Sequence, residues 1–388
     1  MKAFKKKIKS GKKLASVYGE ELLHRKPDAN KGTYHKLLIL AGSKGMAGAA
    51  VMSGLAAYRM GVGMVKYLGA EENRLVLQTA LPEAMYESLS ADKSDWHAQM
   101  MNALSWADAV ILGPGLSQSG DALKLLRTFA ACFDCSNSLN NHTDEKKEER
   151  EKAGFEQTEN TAEGCAPTMQ AIQPSARQQN PLQQQSSVNG QNPLQQHSSV
   201  NGQSALHERS DARGQTLALR FLLLDADALN LIAAYPELKI LFHLTNADGS
   251  RPEVVITPHV GEMSRLCGKS IAAIKENAVG TAEDYAAEND VTVVLKDATT
   301  AIADSAHQLF LILDGSPALA KAGSGDVLTG AIAGAWAVTG ASAAESAAMG
   351  AWLHGQAGRI AAKRYGENGV LARDTANALP LVLRDRET

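Results

Sequence analysis

Short apolar runs recur along the chain, and each is followed at once by small or polar residues. The runs cover residues 36–40, 64–68, 109–112, 221–224, 254–256, 291–295, 301–303 and 309–313. Runs of this length bounded by turn-forming residues are typical of buried β-strands. Segments with apolar positions at helical spacing lie between most of them. This alternation predicts an α/β protein whose central, mostly parallel sheet carries helices on both faces.

The last predicted strand leads into a loop of small residues and then into an apolar, uncharged segment. The loop contains Gly323-Ser324-Gly325-Asp326, and residues 327–344 are predicted to form one buried helix. Free N–H groups at a helix start bind anions, and small residues let a ligand approach the backbone. Asp326 would stand beside that anion site, where it could take a proton from a hydroxyl group. Alternatively, Asp326 only caps the helix.

Three other predicted strands also end in residues that suit a ligand site. Asp225 and Asp227 follow one strand, the turn to His259 follows the next, and Lys296 follows a third. Because the carboxyl ends of parallel strands share one edge, these side chains should lie close together. The carboxylates could hold Mg²⁺ or a hydroxyl group, or Asp227 could cap the following helix. His259 is either a ligand contact or a hydrogen-bonded loop residue, whereas Lys296 suits a phosphate partner.

Composition and charge narrow the class of protein. The chain has 388 residues, of which 44% are hydrophobic, so it can bury a large core. Its net charge of −3 argues against nucleic acid and against an acidic membrane surface as partners. The cysteines, at positions 132, 135, 165 and 267, are too scattered for a disulfide framework and fit a reducing cytosol. No second Cys or His pair completes a zinc site with Cys132 and Cys135, so metal ligands stay unassigned.

The amino-terminal region predicts a cytoplasmic protein. The basic run at residues 5–9 is not followed by an apolar stretch of signal-peptide length, so residues 1–30 are interpreted as a basic extension. Residues 327–344 are long enough to raise the question of a membrane span. Their alanine, glycine, threonine and serine content makes them only mildly apolar, and Gly330-x-x-x-Gly334 suits close helix packing in a core.

The composition changes completely at residues 136–214. A charge run at residues 144–150 is followed by glutamine, serine and asparagine, and residues 180–191 recur almost unchanged at 192–203. Such a segment has too few large apolar groups to offset the entropy of ordering, and a surface loop tolerates long insertions. The prediction is a single domain, residues 31–388, interrupted by a disordered insertion with no identified partner.

Taken together, the turns form an ordered set that closely resembles one family. They are Ala41-Gly42-Ser43, Met46-Ala47-Gly48-Ala49, Gly113-Pro114-Gly115, Asp225-Ala226-Asp227-Ala228-Leu229-Asn230, Thr257-Pro258-His259-Val260-Gly261-Glu262, Leu295-Lys296 and Gly323-Ser324-Gly325-Asp326. The set is similar to that of the ADP/ATP-dependent NAD(P)H-hydrate dehydratases, which have the ribokinase-like fold. The similarity runs from about residue 31 to residue 358 without the insertion. Only about thirty residues precede it, so we expect a stand-alone dehydratase domain without the epimerase domain fused to some members.

The resemblance implies repair of hydrated NADH and NADPH in the S-form. The nucleotide would phosphorylate the ring hydroxyl, and loss of phosphate would restore the double bond. Asp326 would be the catalytic base and a substrate contact. The other implied substrate contacts are Ala49, Gly115 and His259, and the implied nucleotide contacts are Lys296, Asp297, Ala298, Thr299, Thr300 and Gly325. ADP or ATP would be the co-substrate with Mg²⁺, and a separate NAD(P)HX epimerase and a second copy of the chain are candidate partners.

The chain departs from the family pattern at three places. It has Lys296-Asp297 where Lys-Gly is usual, Leu313-Asp314-Gly315-Ser316 where a loop ending in Gly-Asn is usual, and Ala322-Gly323 where two glycines are common. These changes bear on nucleotide affinity and on the choice between ADP and ATP. Two alternatives stay open, a ribokinase-like small-molecule kinase and a nucleotide-binding homologue without turnover.

Overall fold

The structure is a computed structural model, and it describes residues 10–133 and 217–384. The basic run at residues 5–9 and the insertion predicted at 136–214 lie outside the described residues. The strands are β1 (Lys36–Leu40), β2 (Met64–Gly69), β3 (Met85–Ser88), β4 (Ala109–Leu112), β5 (Phe221–Leu224), β6 (Glu253–Ile256), β7 (Thr292–Leu295), β8 (Thr300–Ala303) and β9 (Leu309–Ile312). They form one nine-stranded sheet in the order β3-β2-β1-β4-β5-β6-β7-β8-β9.

The sheet is parallel from β3 to β7, and β8 and β9 continue it antiparallel. The predicted α/β class and mostly parallel sheet are therefore confirmed. The chain runs outward from β1 to β3 on one side and from β4 to β9 on the other. The direction of winding reverses between β1 and β4, and such a reversal opens a crevice at the carboxyl ends of the two strands.

The helices connect the strands and cover the sheet. They are α1 (Gly11–Val17), α2 (Gly19–Leu23), α3 (Ala47–Met60), α4 (Arg74–Ala80), α5 (Trp96–Trp106), α6 (Gly120–Ala131), α7 (Asp227–Ala234), α8 (Val260–Cys267), α9 (Ile271–Glu276), α10 (Ala278–Asn289), α11 (Ser324–Thr339), α12 (Ala343–Tyr365), α13 (Ala372–Ala378) and α14 (Leu381–Arg384). Short 3₁₀ helices lie at Glu71–Asn73, Pro236–Phe242, Pro317–Leu319 and Glu367–Gly369. Within the described part of the chain, no helix is long and apolar enough to cross a membrane.

A hydrophobic core lies on each face of the sheet. Alternate residues of a strand point to opposite faces, so Leu37 and Ile39 of β1 join one core and Leu38 and Leu40 join the other. Helices α3, α11 and α12 cover the first face. Helices α3 and α11 cross closely, because a Cβ atom added at Gly330 would lie 2.1 Å from the backbone oxygen of Ser53.

The single helix predicted for residues 327–344 is wrong at its carboxyl end. Helix α11 ends at Thr339, and Gly340 follows in the left-handed conformation with φ of 63°. Ser342 then caps α12 by accepting a hydrogen bond from the backbone N–H of Glu345. A glycine just after a helix and a serine just before the next are the usual stop and start signals.

Two helices lie within the stretch interpreted as a basic extension. Ala15 of α1 is fully buried in the core under α12. A Cβ atom added at Gly11 would lie 2.5 Å from the backbone oxygen of Ala348, so α1 sits directly on α12. The hydroxyl group of Tyr18 donates a hydrogen bond to Glu345. Residues 11–23 are therefore packed against the body of the protein.

Candidate active site

The loops after β1 and β4 are joined at the crevice. The backbone N–H of Gly42 donates to the oxygen of Pro114 at 2.8 Å, and that of Ser43 donates to the oxygen of Gly115 at 2.6 Å. Gly113 has φ of 128°, and a Cβ atom there would lie 2.0 Å from the backbone oxygen of Asp225. Only glycine fits this conformation and this approach. The Gly-Pro-Gly turn thereby brings the ends of β4 and β5 into contact.

Two of the predicted substrate residues meet in this crevice. Ala49 lies in the first turn of α3, and a Cβ atom added at Gly115 would lie 2.9 Å from the Cβ atom of Ala49. Both residues are partly exposed. Small residues at both positions let the start of α3 and the loop after β4 approach each other closely. The structure therefore brings Ala49 and Gly115 together, as predicted, and their contact with a substrate stays a prediction.

Asp225 is the centre of a buried polar cluster at the carboxyl end of β5. The residue is 2% exposed, and its Oδ1 atom accepts hydrogen bonds from Thr257 Oγ1 at 2.6 Å and from Lys296 Nζ at 2.8 Å. Burial alone would lower the pKa of Lys296, but the carboxylates of Asp225 and Glu262 outweigh it and raise that pKa. The lysine is therefore a cation held at the strand ends, beside the helix start of α11.

Glu262 and His259 belong to the turn between β6 and α8. The Oε2 atom of Glu262 accepts from the backbone N–H of His259 at 2.8 Å, and His259 Nδ1 accepts from the N–H of Gly261 at 2.9 Å. This capping box leaves the imidazole exposed, with the proton of the neutral ring on Nε2. His259 is thus both a hydrogen-bonded cap and a side chain open to a ligand. Burial of Glu262, which is 5% exposed, raises its pKa, opposed by Lys296.

Asp326 lies in the first turn of α11 and is partly buried. Burial raises the pKa of Asp326 to about 6, with further contributions from Asp225 and Asp227, while Lys296 opposes the rise. No side chain caps this helix, whose N-cap is Gly323 with φ of 87°. The interpretation of Asp326 as a helix cap is therefore wrong. The charges of Asp225 and Lys296 are close enough to act on the carboxylate of Asp326.

The start of α11 has the character of an anion site. In the described part of the chain, no hydrogen bond takes up the backbone N–H groups of Gly325 and Asp326. A Cβ atom added at Gly325 would lie 3.6 Å from Lys296 Nζ and 3.9 Å from Asp225 Oδ2. Free N–H groups, the positive end of a helix and an ammonium group thus converge within a few ångströms. Phosphate is the group that such a convergence suits.

The other predicted nucleotide residues form the turn between β7 and β8. Asp297, Ala298 and Thr299 are exposed, and Thr300 begins β8. The turn touches the loop after β9, where a Cβ atom at Gly315 would lie 3.4 Å from the backbone oxygen of Ala298. The turn continues directly from Lys296, so it lies next to the anion site. A contact of these four residues with a nucleotide stays a prediction.

Asp227 joins two loops of the site. It is the first residue of α7, whose N-cap is Ala226, so its interpretation as the cap is wrong. Its Oδ2 atom accepts from the backbone N–H of Ser117 at 2.7 Å. Ser117 has a positive φ of 67°, which the hydrogen bond helps to hold. Asp227 therefore fixes the loop after β4 and adds negative charge near Asp326.

Two further residues complete the cluster and were not among the predicted site residues. Glu262 could have been found, because an acidic residue three positions after a helix cap indicates a capping box. His354 lies in the middle of α12, and its Nε2 atom is 3.3 Å from Ser324 Oγ. Burial lowers the pKa of His354 to about 4, and Lys296 lowers it further while Ser324 opposes the shift. This neutral histidine packs against Ser324, the first residue of α11. The contact joins segments that are distant in sequence, so no local pattern indicates it.

The cluster does not fit a magnesium ion held by the protein alone. Among residues 10–133 and 217–384, no group of three or more His, Cys, Asp or Glu side chains could hold a metal. The Oδ1 atom of Asp225 is already bonded to Lys296 and Thr257. Asp225 is the best candidate ligand, and the ammonium group bonded to it would repel a dication.

The chain is similar to known proteins over its full described length. A bifunctional NAD(P)H-hydrate repair enzyme of Moorella thermoacetica is 28% identical over 375 residues, covering 95% of this chain and 52% of the relative. An ADP-dependent (S)-NAD(P)H-hydrate dehydratase of Neisseria meningitidis is 36% identical over 156 residues, covering 40% of this chain and 50% of the relative. The chain spans about half the length of the curated relatives it matches.

Solved structures share the fold. A Bacillus subtilis ADP/ATP-dependent NAD(P)H-hydrate dehydratase co-crystallised with ATP and Mg²⁺ has a TM-score of 0.63 at 21% identity and covers 99% of both chains. An Enterococcus faecalis ribokinase-like superfamily protein also has a TM-score of 0.63, at 20% identity, and covers 99% of this chain and 98% of its own. These likenesses establish the ribokinase-like fold. The family described as NAD(P)H-hydrate dehydratase matches residues 37–136 and 201–381, which include every turn of the crevice, and the chain therefore belongs to it.

Proposed function

We propose that this chain catalyses the ADP- or ATP-dependent dehydration of the S-form of hydrated NADH and NADPH, which makes it a lyase of cofactor repair. The observation that carries the proposal is the placement of Asp326. A carboxylate with a pKa raised to about 6 stands beside a helix start with free N–H groups and beside Lys296. The names of the relatives from M. thermoacetica, N. meningitidis and B. subtilis support this choice of reaction.

The first step is phosphorylation of the ring hydroxyl. Above pH 6, Asp326 is ionised and can take the hydroxyl proton. The oxygen then forms a bond to the terminal phosphorus of the nucleotide, and the bond from that phosphorus to the bridging oxygen breaks. ATP leaves as ADP, or ADP as AMP. The N–H groups of Gly325 and Asp326 and the ammonium of Lys296 stabilise the charge that develops on the phosphoryl oxygens.

The second step is loss of phosphate. The carbon–oxygen bond breaks with its electron pair on phosphate, and the lone pair of the ring nitrogen fills the vacancy on carbon. Loss of a proton from the neighbouring carbon then restores the double bond of the reduced nicotinamide. The oxygen of the added water ends in inorganic phosphate, so the sum is hydrated NADH plus ATP giving NADH, ADP and phosphate. Phosphate leaves far more readily than hydroxide, which is why the nucleotide is consumed.

The two substrates would occupy neighbouring parts of the sheet edge. Ala49, Gly115 and His259 would line the hydrated ring, since the first two are small and partly exposed and the third presents an exposed ring N–H. Lys296, Gly325 and the turn at residues 297–300 would hold the nucleotide. Magnesium would arrive on the nucleotide phosphates, whose charge it neutralises, because the described residues offer it no site of their own.

The assay is incubation with hydrated NADH and either ADP or ATP, followed at the absorbance band of reduced nicotinamide. An absorbance rise that needs nucleotide is expected. Asp326→Asn should lower turnover by about three orders of magnitude or more and still bind nucleotide, as expected for a general base. A stable phosphorylated product without an absorbance rise would instead support a small-molecule kinase. Nucleotide binding without any product would support a homologue without turnover.

Epimerisation would be a separate step. Several of the curated relatives are named bifunctional repair enzymes, and this chain aligns with about half of each of them. We propose that the aligned half is the dehydrating half. An NAD(P)HX epimerase, whether a separate protein or a further domain, would convert the other epimer into the S-form that this site consumes.

A further inference from the structure

Asn73 is a buried polar side chain whose amide is aimed at the crevice. It ends the 3₁₀ helix Glu71–Asn73 and is 3% exposed. Its Nδ2 atom donates two hydrogen bonds to the loop after β1, to the oxygen of Gly42 at 2.8 Å and to that of Ser43 at 3.0 Å. Asn73 is also the N-cap residue of α4, yet its side chain does not cap that helix. The amide is therefore committed to the loop.

The loop that Asn73 holds is connected by main-chain bonds to both small residues of the substrate side. Gly42 and Ser43 donate their N–H groups to Pro114 and Gly115 at 2.8 and 2.6 Å. On the other side, the N–H of Met46 donates to the oxygen of Ser43 at 2.9 Å, just before the helix turn that carries Ala49. A shift of the Gly42-Ser43 segment would therefore move Ala49 and Gly115 relative to each other.

We propose that Asn73 is a positioning residue for the hydrated dinucleotide, which fixes the positions of Ala49 and Gly115 at the crevice by clamping the Gly42-Ser43 loop. The inference rests on the proposed function. It predicts that Asn73 affects binding of the hydrated dinucleotide and leaves binding of ADP or ATP unchanged. Lys296 follows β7 and Gly325 lies at the start of α11, so neither belongs to the loop that Asn73 holds. Asn73 does not itself act on the reacting atoms.

The chemistry of the clamp explains why an amide is needed. Two backbone oxygens face one point, so the side chain there must donate two hydrogens from one atom, which the –NH₂ of asparagine does. Aspartate has the same shape but offers only acceptor oxygens once ionised. The oxygen of Gly42 would then lose the amide donor at a buried place, the oxygen of Ser43 would keep only the N–H of Met46, and both would face a like partial charge. Asn73→Asp therefore removes the clamp with little change of volume, and Asn73→Ser keeps a single donor.

The chain offers a matched control in Asn246. It is 4% exposed, and its Nδ2 atom donates to the backbone oxygen of Leu219 at 2.8 Å while its Oδ1 atom accepts from the N–H of Leu219 at 3.0 Å. Leu219 precedes β5, so this bridge lies at the opposite edge of the sheet from the crevice. Asn246→Asp makes the same substitution in an equally buried asparagine that bridges backbone away from the site.

The experiment measures KM for hydrated NADH and for ADP in wild type, Asn73→Asp, Asn73→Ser and Asn246→Asp. Misplacing a bound substrate by about 1 Å can cost about 100-fold in rate. We expect kcat/KM for hydrated NADH to fall about 10- to 100-fold in Asn73→Asp, mainly through KM, and less in Asn73→Ser. The KM for ADP should change less than about twofold in both, and Asn246→Asp should alter neither KM beyond that range.

An unchanged KM for hydrated NADH in Asn73→Asp would overturn the inference. So would equal losses for hydrated NADH and ADP, or an equal effect of Asn246→Asp, because each would show a purely structural role. If Asn73→Asp yields no folded protein, Asn73→Ser decides by the same two KM values. Wild-type turnover is measured first, so a failure of the proposed function appears there. A failure of the clamp appears only in variants of an active enzyme.

Discussion

The ionised carboxylate of Asp326 should destabilise the folded protein at neutral pH, so Asp326→Asn is expected to raise stability while it abolishes turnover. The largest cause of the raised pKa is burial, and Asp225 and Asp227 add repulsion. Asparagine keeps the shape of the side chain and carries no charge at any pH. A residue whose ionised form lowers the stability of the fold is a common feature of active sites, where activity is gained at the expense of stability.

The size of the effect follows from the two pKa values. The pKa of Asp326 rises from 3.8 to about 6, and a shift of about two units corresponds to about 3 kcal/mol. The folded state holds its proton more tightly than the unfolded state. The stability from protonated Asp326 is therefore fully present below pH 4 and is lost as the pH rises through about 6. Because the side chain keeps some contact with solvent, the measured gain should be about 1–3 kcal/mol.

The assay is chemical unfolding of wild type and Asp326→Asn at pH 5 and at pH 8. The gain in the free energy of unfolding should be about half as large at pH 5 as at pH 8. Asp28→Asn, which neutralises an exposed aspartate, is the matched control and should change stability little at either pH. No gain at pH 8, or the same gain at both pH values, would refute the assignment of a buried, repelled carboxylate to Asp326.

Three further predictions concern Asp225, Lys296 and Gly330. Asp225→Asn removes a negative charge near Asp326 and releases Lys296, so the acid limb of the pH profile of kcat/KM should move down from about pH 6. A profile that stays in place would contradict the electrostatic coupling between Asp225 and Asp326. Lys296→Met should raise the KM for ADP and ATP about 10-fold or more, measured with hydrated NADH saturating, and an unchanged KM would remove the lysine from the phosphate site. Gly330→Ala should lower the free energy of unfolding by about 2–4 kcal/mol, because its Cβ atom would lie 2.1 Å from a backbone oxygen of α3. The control is Gly48→Ala, which has open space around it and should leave stability unchanged. Equal denaturation midpoints of the two variants would show that α3 and α11 can separate to make room.

The strands could be predicted because most are short apolar runs buried on both faces. Leu222 and Leu223 point to opposite cores and are both fully buried, so the run is apolar throughout and stands out in the sequence. Strand β3 was missed because it is an edge strand whose residues are exposed or only partly buried, so it has no apolar run to mark it. The break after α11 was missed although Gly340 and Ser342 mark it. The apolar residues on both sides masked those signals.

The meeting of Lys296, Gly325 and Asp326 could be predicted, because each follows a strand and the carboxyl ends of parallel strands share an edge. The residues that hold the loops and helix starts of the site in place could not be predicted. Asn73 reaches Gly42 across 31 residues, and His354 reaches Ser324 across 30. Neither pairing leaves a periodic or local pattern, because it depends on how α4 and α12 pack against the loops. Sequence patterns place the ends of elements and leave such cross-connections undetermined.

Burial and the neighbouring charges together give Asp326 its unusual pKa. The carboxylates of Asp225, Glu262 and Asp326 share the ammonium of Lys296, and Asp225 takes its shortest contact. Burial raises the pKa of Asp326 to about 6 and Lys296 compensates this only in part, whereas the neighbouring carboxylates raise the pKa of Lys296 and keep it a cation. A carboxylate with a pKa near neutrality and a cation beside the start of α11 therefore arise from burial together with an unequal sharing of charge. Removing Asp225 should lower the pKa of Asp326 and release Lys296, so we expect it to affect the proposed reaction through both groups.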